Sequence, residues 1–232
     1  MQQDLENILG FDIQNCELFE TAFTHRSAVN EHKGIKEHNE RLEFLGDAVL
    51  ELVVTEYLFE RFPELAEGVL TNLRASLVKG ETLYEVARDL DFGKFLKISK
   101  GEEMFGGREK VRLLANTVES LIGAIYIDSG LENSKNFILQ SIAPKLDGIM
   151  DKGDFIDAKS YFQQVAQAQF KCTPVYREIS SSGPDHDKIF EIGVFVNKKQ
   201  YGAGIGASKQ IGEQAAAKKA LDDMGIEWKK LS

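Results

Sequence analysis

Hydrophobic periodicity changes once along this chain, and that change calls for two folding units. Through roughly the first 150 residues, apolar side chains recur at intervals of three and four, with no sustained alternation at two. That pattern makes helices, one after another. From about residue 157 it becomes a helix, three short runs and a closing helix. The middle run sets Ile189, Glu191, Gly193 and Phe195 against Phe190, Ile192, Val194 and Val196, the period of a strand. The expected fold class is therefore an all-α domain followed by a small α+β domain of α-β-β-β-α order. The expected boundaries are a helical domain at 1–148, a linker at 149–156, the small domain at 157–226 and a tail at 227–232. In the first domain, helices are expected at 39–61, 71–79, 81–90 and 112–127, with at least one more in 133–150. A loop at 101–107 carries Gly106-Gly107 at its tip, Gly130 reads as a stop signal, and the charged stretch 147–157 reads as connecting chain. In the second, a helix at 159–170, strands at 176–180, 188–196 and 200–204, and a helix at 208–224 are expected. The glycines of 202–206 read as a turn at the end of a strand.

Composition narrows the function classes. Of the 232 residues, 43% are hydrophobic and 28% charged, an ordinary globular balance. The longest apolar run, 121–127, falls far short of the ~18 residues needed to cross a bilayer. The polar, acidic start does not resemble a secretory signal. Cys16 and Cys172 stand alone, so neither a disulfide framework nor a cysteine zinc site is expected, and the expected compartment is the reducing cytoplasm. The net charge of −9 hides a division. Residues 1–154 carry 17 Lys and Arg against 28 Asp and Glu, a net of −11; residues 155–232 carry 11 against 9, a net of +2.

The two long helices of the acidic part carry the chemistry. At ~100° per residue from Glu40, Glu43, Asp47 and Glu51 share one face of the 39–61 helix. Leu42, Leu45, Val49, Leu52 and Val53 share the other, with Leu50 and Leu58 outside the apolar arc. On the 112–127 helix, Asn116, Glu119, Ser120 and Gly123 line a small-residue face opposite Leu114, Val118, Leu121, Ile122 and Ile125. A helix this apolar is buried, and a Glu on its small-residue face needs a partner. Clustered carboxylates repel unless a cation sits between them, and Mg²⁺ prefers such hard oxygen ligands. Taken alone, the acidic face also fits a plain solvated surface. Phe44 lies on that face, either as a core aromatic between helices or as an apolar knob for a second subunit.

The run His38-Asn39-Glu40-Arg41-Leu42-Glu43-Phe44-Leu45-Gly46-Asp47-Ala48-Val49-Leu50 closely resembles the signature of bacterial ribonuclease III. Glu67-Gly68 ahead of Leu73-Arg74-Ala75, then Gly106-Gly107, then Val118-Glu119-Ser120-Leu121-Ile122-Gly123-Ala124-Ile125-Tyr126 agree in order and spacing. The second domain resembles the double-stranded-RNA-binding domain that follows in that family. The resemblance spans nearly the whole chain. It implies a homodimeric, Mg²⁺-dependent endonuclease of double-stranded RNA, with Mn²⁺ as a substitute ion and a role in rRNA and mRNA processing. Its products carry 5′-phosphate and 3′-hydroxyl ends with two-nucleotide 3′ overhangs. Glu43, Asp47 and Glu119 correspond to the catalytic, metal-binding acidic cluster, Glu40 and Glu67 to acidic residues lining the RNA valley, and Phe44 to an aromatic seated in a socket of the partner subunit. Phosphodiester hydrolysis requires an activated water and neutralised charge at phosphorus, which carboxylate-bound Mg²⁺ supplies.

One catalytic position departs from the pattern. The family has Asp, a metal ligand, where this chain has Asn116. An amide oxygen still coordinates, without a negative charge. Either the Asn is an introduced change that holds RNA uncut, or it is natural and the chain cuts slowly or only binds RNA. The alternative function is thus a non-catalytic double-stranded-RNA-binding protein on the same scaffold. A helical hydrolase of small phosphates is a third reading, against which the second domain argues. RNA contacts implied by the resemblance are Ser160, Gln163, Gln164 and Gln167 on one helix, Pro184 and His186 in the loop after the first strand, and Ser208, Lys209 and Gln210 at the last helix. Amides suit minor-groove 2′-hydroxyls, and a helix N-terminus suits phosphate. Gln210, where the family usually has Lys, and Gly212 inside the helix depart from the pattern. No membrane partner is expected.

Overall fold

The computed structural model describes residues 1–31, 34, 37–152, 157–184 and 187–226. The chain divides into two compact units, Met1–Ile149 and Met150–Ser232. The first is helical, with α1 (Gln2–Leu9), α2 (Cys16–Ala22), α3 (Arg26–Glu31), α4 (Glu40–Arg61), α5 (Glu67–Val78), α6 (Gly80–Asp89), α7 (Lys100–Met104), α8 (Val111–Ser141) and α9 (Lys145–Lys152). Short 3₁₀ turns at Phe92–Phe95 and Gly107–Glu109 join α6 to α7 and α7 to α8.

The centre of this unit is the crossing of α4 over α8. Leu121, Ile122, Ala124 and Ile125 are wholly buried, and α4 contributes Leu42, Val49, Leu50, Val53, Val54 and Leu58. The buried face of α4 is broader than its apolar arc: Leu50 and Leu58, outside that arc, are interior, whereas Leu52, inside it, is 59% exposed. Elements on both sides of α4 cover it, so a single-arc wheel does not describe its burial. Glycines set the crossing distance. A methyl group on Gly46 would lie 1.7 Å from the Glu119 carbonyl oxygen, and one on Gly123 would lie 2.3 Å from that of Leu42. Only hydrogen fits at either position.

Other boundaries differ from expectation for identifiable reasons. The 101–107 stretch opens as α7 rather than loop, because Ser99 Oγ accepts from the Glu102 N–H and caps it. Gly130 is the stop expected of it: its φ of 85° ends the first helical run of α8, and a second run follows directly to Ser141. The stretch from 147 begins within α9. The first of the two short helices starts earlier than expected, which places Glu67 in the first turn of α5.

The second unit runs α10 (Ala158–Phe170), β1 (Val175–Ser182), β2 (Ile189–Val196), β3 (Lys199–Gly206) and α11 (Lys209–Asp223). The strands form an antiparallel sheet of order β1-β2-β3. Asn197 and Lys198 both take positive φ between β2 and β3, which gives the twist of a tight hairpin. The two helices bury Phe162, Ala166, Ala216, Ala217, Ala220 and Leu221 against Val194 and Val196. Gly202 and Gly204 lie within β3, not in a turn. A methyl on Gly202 would meet Ala216 O at 2.4 Å, and one on Gly204 would meet Ala216 N at 2.2 Å. Gly212 belongs to the same close approach, since its methyl would press Ile192 at 2.7 Å.

Gly46→Ala and Gly123→Ala should each destabilise the protein by about 3 kcal/mol or more, the upper end of overpacking, because the obstacle is backbone. Gly148→Ala, in α9 with nothing within 4 Å of the new methyl, should instead stabilise by up to about 0.5–1 kcal/mol. Thermal melts of the three variants check both directions.

Candidate active site

Side chains flanking the α4–α8 crossing form the candidate site. Glu43 and Asp47 are one turn apart on α4, and Asn116 and Glu119 one turn apart on α8. The Glu119 backbone packs against Gly46, and its carboxyl lies near enough to Asp47 and Glu43 to feel their charge. Burial first, then the charges of Asp47 and Glu43, push the Glu119 carboxyl up to about 7. Glu43 is also raised by burial, and the Asn116 amide beside it, as a hydrogen-bonding neighbour, draws it partly back down. An Asp at 116 would be a fourth acid here, whereas the amide brings a donor.

Beside this cluster lies a pocket of about 180 Å³ lined by His25, Arg26, Asn39, Glu40, Glu43, Leu96, Glu102, Arg112, Leu113 and Asn116. Glu43 and Asn116 are shared between cluster and pocket; Asp47 and Glu119 are not among the lining residues. His25 is fixed by a 2.9 Å contact of Nδ1 with Ser27 Oγ, which also accepts from the Ser99 N–H at 3.0 Å. Glu102 is paired with Lys110.

The remaining acidic candidates have partners. Glu40 is exposed, 3.5 Å from Arg26 and 3.8 Å from His38 Nδ1. Glu67 accepts from Thr71 Oγ1 at 3.2 Å on α5, outside the pocket wall. Glu51, on the acidic face of α4, is bound instead by Arg74 Nε at 2.9 Å. Ser120 is structural: its hydroxyl donates to the Ala22 carbonyl at 2.7 Å and ties α8 to α2. Phe44 is 81% exposed in the single chain, so the core-aromatic alternative fails.

The donor set of Glu43, Asp47, Glu119 and the Asn116 carbonyl is all hard oxygen, which suits Mg²⁺ or Mn²⁺. Among the described residues, no three His, Cys, Asp or Glu side chains converge on one point as placed. The fit therefore rests on donor chemistry and on the mutual charge of Glu119, Asp47 and Glu43.

In the second unit, Ser160, Gln163, Gln164 and Gln167 share the exposed face of α10 and line a shallow depression with Lys171 and Thr173. The Asp157 carboxylate caps this helix, accepting from the Ser160 N–H at 2.8 Å, and Gln214 Nε2 of α11 holds the same oxygen at 3.0 Å. Pro184 is exposed after Gly183, whose φ of 94° turns the chain out of β1; His186 lies outside the described residues. Ser208 caps α11 by accepting from the Ile211 N–H at 3.3 Å. Lys209, expected on phosphate, is 2.9 Å from Glu178, and Gln210 is exposed. Sequence reasoning missed Arg112, His25, Arg26 and Glu102 at the site. For Arg112 a signal existed: it stands one turn before Asn116 on the same helix.

Comparison with known proteins places both units. A family model described as ribonuclease-III-like matches residues 15–146, and one described as a double-stranded RNA binding motif matches residues 158–224. Ribonuclease 3 of Streptococcus gordonii is 46% identical over 226 residues, covering 94% of this chain and 96% of its own. Ribonuclease 3 of Streptococcus pneumoniae is 42% identical, covering 96% of each chain. A solved nuclease domain of ribonuclease III from Campylobacter jejuni, described for flexibility in a region involved in dimer formation, superposes with a TM-score of 0.57 at 41% identity. It covers 62% of this chain and 97% of that domain.

Glu119 holds its proton more tightly when folded than when unfolded. Ionising it therefore weakens the fold: the loss begins near its ordinary pKa of 4.5 and is complete above about 7. With a chelator present, stability should fall from about pH 5 to about pH 8, and Glu119→Gln should remove on the order of 1 kcal/mol of that fall, allowing for solvent screening. Denaturant titrations across this range check it.

Proposed function

The chain belongs to the ribonuclease III family and is an endonuclease of double-stranded RNA, and from that premise we propose a divalent-metal-dependent hydrolysis centred on Glu43, Asp47, Asn116 and Glu119. The observation that carries this reading is the half-buried Glu119 of α8, set against two carboxylates of α4 and pushed up to about 7 by burial and by their charge. When bound there, Mg²⁺ (or Mn²⁺) supplies an activated water and neutralises charge on the phosphate. Glu119 and Asp47 provide negative charge from either side of the helix crossing. Asn116 offers its amide oxygen to the ion and its N–H to Glu43, which offsets part of the rise that burial imposes on that carboxyl. Glu40 and Glu67 line the RNA path.

The products are 5′-phosphate and 3′-hydroxyl ends with two-nucleotide 3′ overhangs, one strand being cut by each of two protomers. Exposed Phe44 is the knob of that homodimer. The face of Ser160, Gln163, Gln164 and Gln167 meets 2′-hydroxyls of one minor groove, Pro184 and His186 reach a second, and Ser208, Lys209 and Gln210 meet phosphate. Lys209 must exchange Glu178 for RNA to do so, which with the net charge of +2 over residues 155–232 makes this unit alone a weak binder. Among the described residues no helix is long and apolar enough to cross a membrane. The proposed work of the chain, by its family, is rRNA and mRNA processing in the cytoplasm.

Asn116 lowers metal affinity relative to a fourth carboxylate. In a cleavage time course on a long RNA duplex, Asn116→Asp should cut at Mg²⁺ concentrations roughly tenfold lower than the parent chain, the size of effect that one ligand-sphere change carries. Glu119→Gln should reduce cleavage in both by at least about a hundredfold. Equal Mg²⁺ dependence of the parent and Asn116→Asp chains would remove residue 116 from the metal site. Binding of duplex by all three without cleavage would favour the non-catalytic RNA-binding reading, which the Asn at a ligand position keeps in view.

A further inference from the structure

Arg112 is the notable cation of the pocket. It lies in the first turn of α8, exposed, one turn before Asn116, and shares the pocket wall with Asn116 and Glu43. Among the described residues it donates no hydrogen bond and forms no ion pair. By contrast, Arg108 is tied to the Gly93 and Leu96 carbonyls at 2.9 and 2.8 Å, Arg74 to Glu51, and Arg26 to Glu40. A guanidinium carries five donors in a fixed fork that matches the non-bridging oxygens of a phosphodiester. Here it projects with those donors unused, beside the carboxylates that act on the phosphate.

We propose that Arg112 is a substrate-binding residue: its guanidinium grips the RNA backbone phosphate at or next to the scissile bond, through the pocket it shares with Asn116. This rests on the nuclease reading above and adds a phosphate contact to it. The charge arrangement favours such a contact. Asn at 116 removes one negative charge from the cluster, and Arg112 adds a positive one at its edge, so the rim of this acidic site attracts the backbone instead of repelling it. Arg112 lies near enough to Glu43 for its charge to lower that carboxyl, but among the described residues no ion pair ties the two together, so its donors stay available. Arg26, in the same pocket lining, is already engaged by Glu40 at 3.5 Å.

The contact is electrostatic and independent of sequence, so its mark is a salt dependence. The test uses the full chain in the Glu119→Gln background, in Mg²⁺, where the duplex stays intact. Binding of a fluorescein-labelled RNA duplex longer than the ~16 base pairs an RNA-binding domain spans is measured by anisotropy over a range of KCl. Arg112→Ala should weaken binding about tenfold and reduce the slope of log K against log salt by about one for each site engaged, as loss of one phosphate contact requires. Arg112→Lys should keep the slope and recover only part of the affinity, because an ammonium cannot grip two oxygens at once. With Glu119 intact, Arg112→Ala should raise KM for duplex cleavage more than it lowers kcat. An unchanged slope in a folded Arg112→Ala protein would overturn the assignment, as would a changed Mg²⁺ requirement with unchanged RNA affinity. If the parent chain neither binds nor cuts duplex RNA, the nuclease reading itself fails, which is a different result from an Arg112 variant that behaves like its parent.

Discussion

Two glycines set how closely α4 and α8 cross, and the candidate active site depends on that distance. Gly46 meets the Glu119 carbonyl and Gly123 that of Leu42, with no room for a methyl group at either contact. The crossing buries a large share of the helical core. It also brings the Glu119 carboxyl of α8 within reach of the charges of Asp47 and Glu43 on α4. At the 8–10 Å interaxial distance typical of helix pairs, side chains of the two helices would interdigitate and the carboxyls would be free to diverge. Here burial at the crossing first, and then the charges of Asp47 and Glu43, raise the proton affinity of Glu119. Stability and chemistry thus pull against each other at one point: the packing that makes the core also stores like charge, which a divalent cation would relieve.

The same device recurs in the second unit with a different purpose. Gly202 and Gly204 of β3, with Gly212 of α11, bring helix and sheet together so closely that backbone touches backbone. This fixes α11 on the sheet, and Gln214 of α11 then helps hold Asp157 at the start of α10. The glutamine face of α10 and the capped start of α11 are positioned by one packed core. Because RNA duplexes are recognised by shape, a rigid spacing of contact elements matters more here than strong charge. The near-neutral balance of the unit agrees with that.

The long helices were legible because their apolar spacing of three and four runs on for many residues: the ends of α4 fall within a residue of expectation, and the start of α8 does likewise. The acidic signature of α4 and the Asn116–Glu119 spacing were legible too, since one-turn neighbours follow from helix geometry alone. Long-range terms were not. The five-residue α7 depends on the Ser99 cap, and Arg108 fastens the neighbouring turn through carbonyls more than ten residues away in sequence. Leu52 lies on the apolar arc yet faces outward, while Leu50 and Leu58 off that arc are buried, because burial was decided by neighbouring helices. Glu51 found Arg74 and left the cluster, a pairing that no helical wheel contains. The glycines of β3 suggested a turn locally, and only the approach of α11 explains them.

Calorimetric titration of the full chain with Mg²⁺, in buffers of different ionisation enthalpy, tests most directly whether the buried Glu119 shares a cation site with Asp47 and Glu43. A cation there must displace the proton that burial and the two carboxylates hold on Glu119. The account predicts release of about half a proton per site at pH 7, declining towards none by about pH 9 and absent in Glu119→Gln. Mg²⁺ binding at pH 7 with no proton release, or with release unchanged in Glu119→Gln, would contradict it.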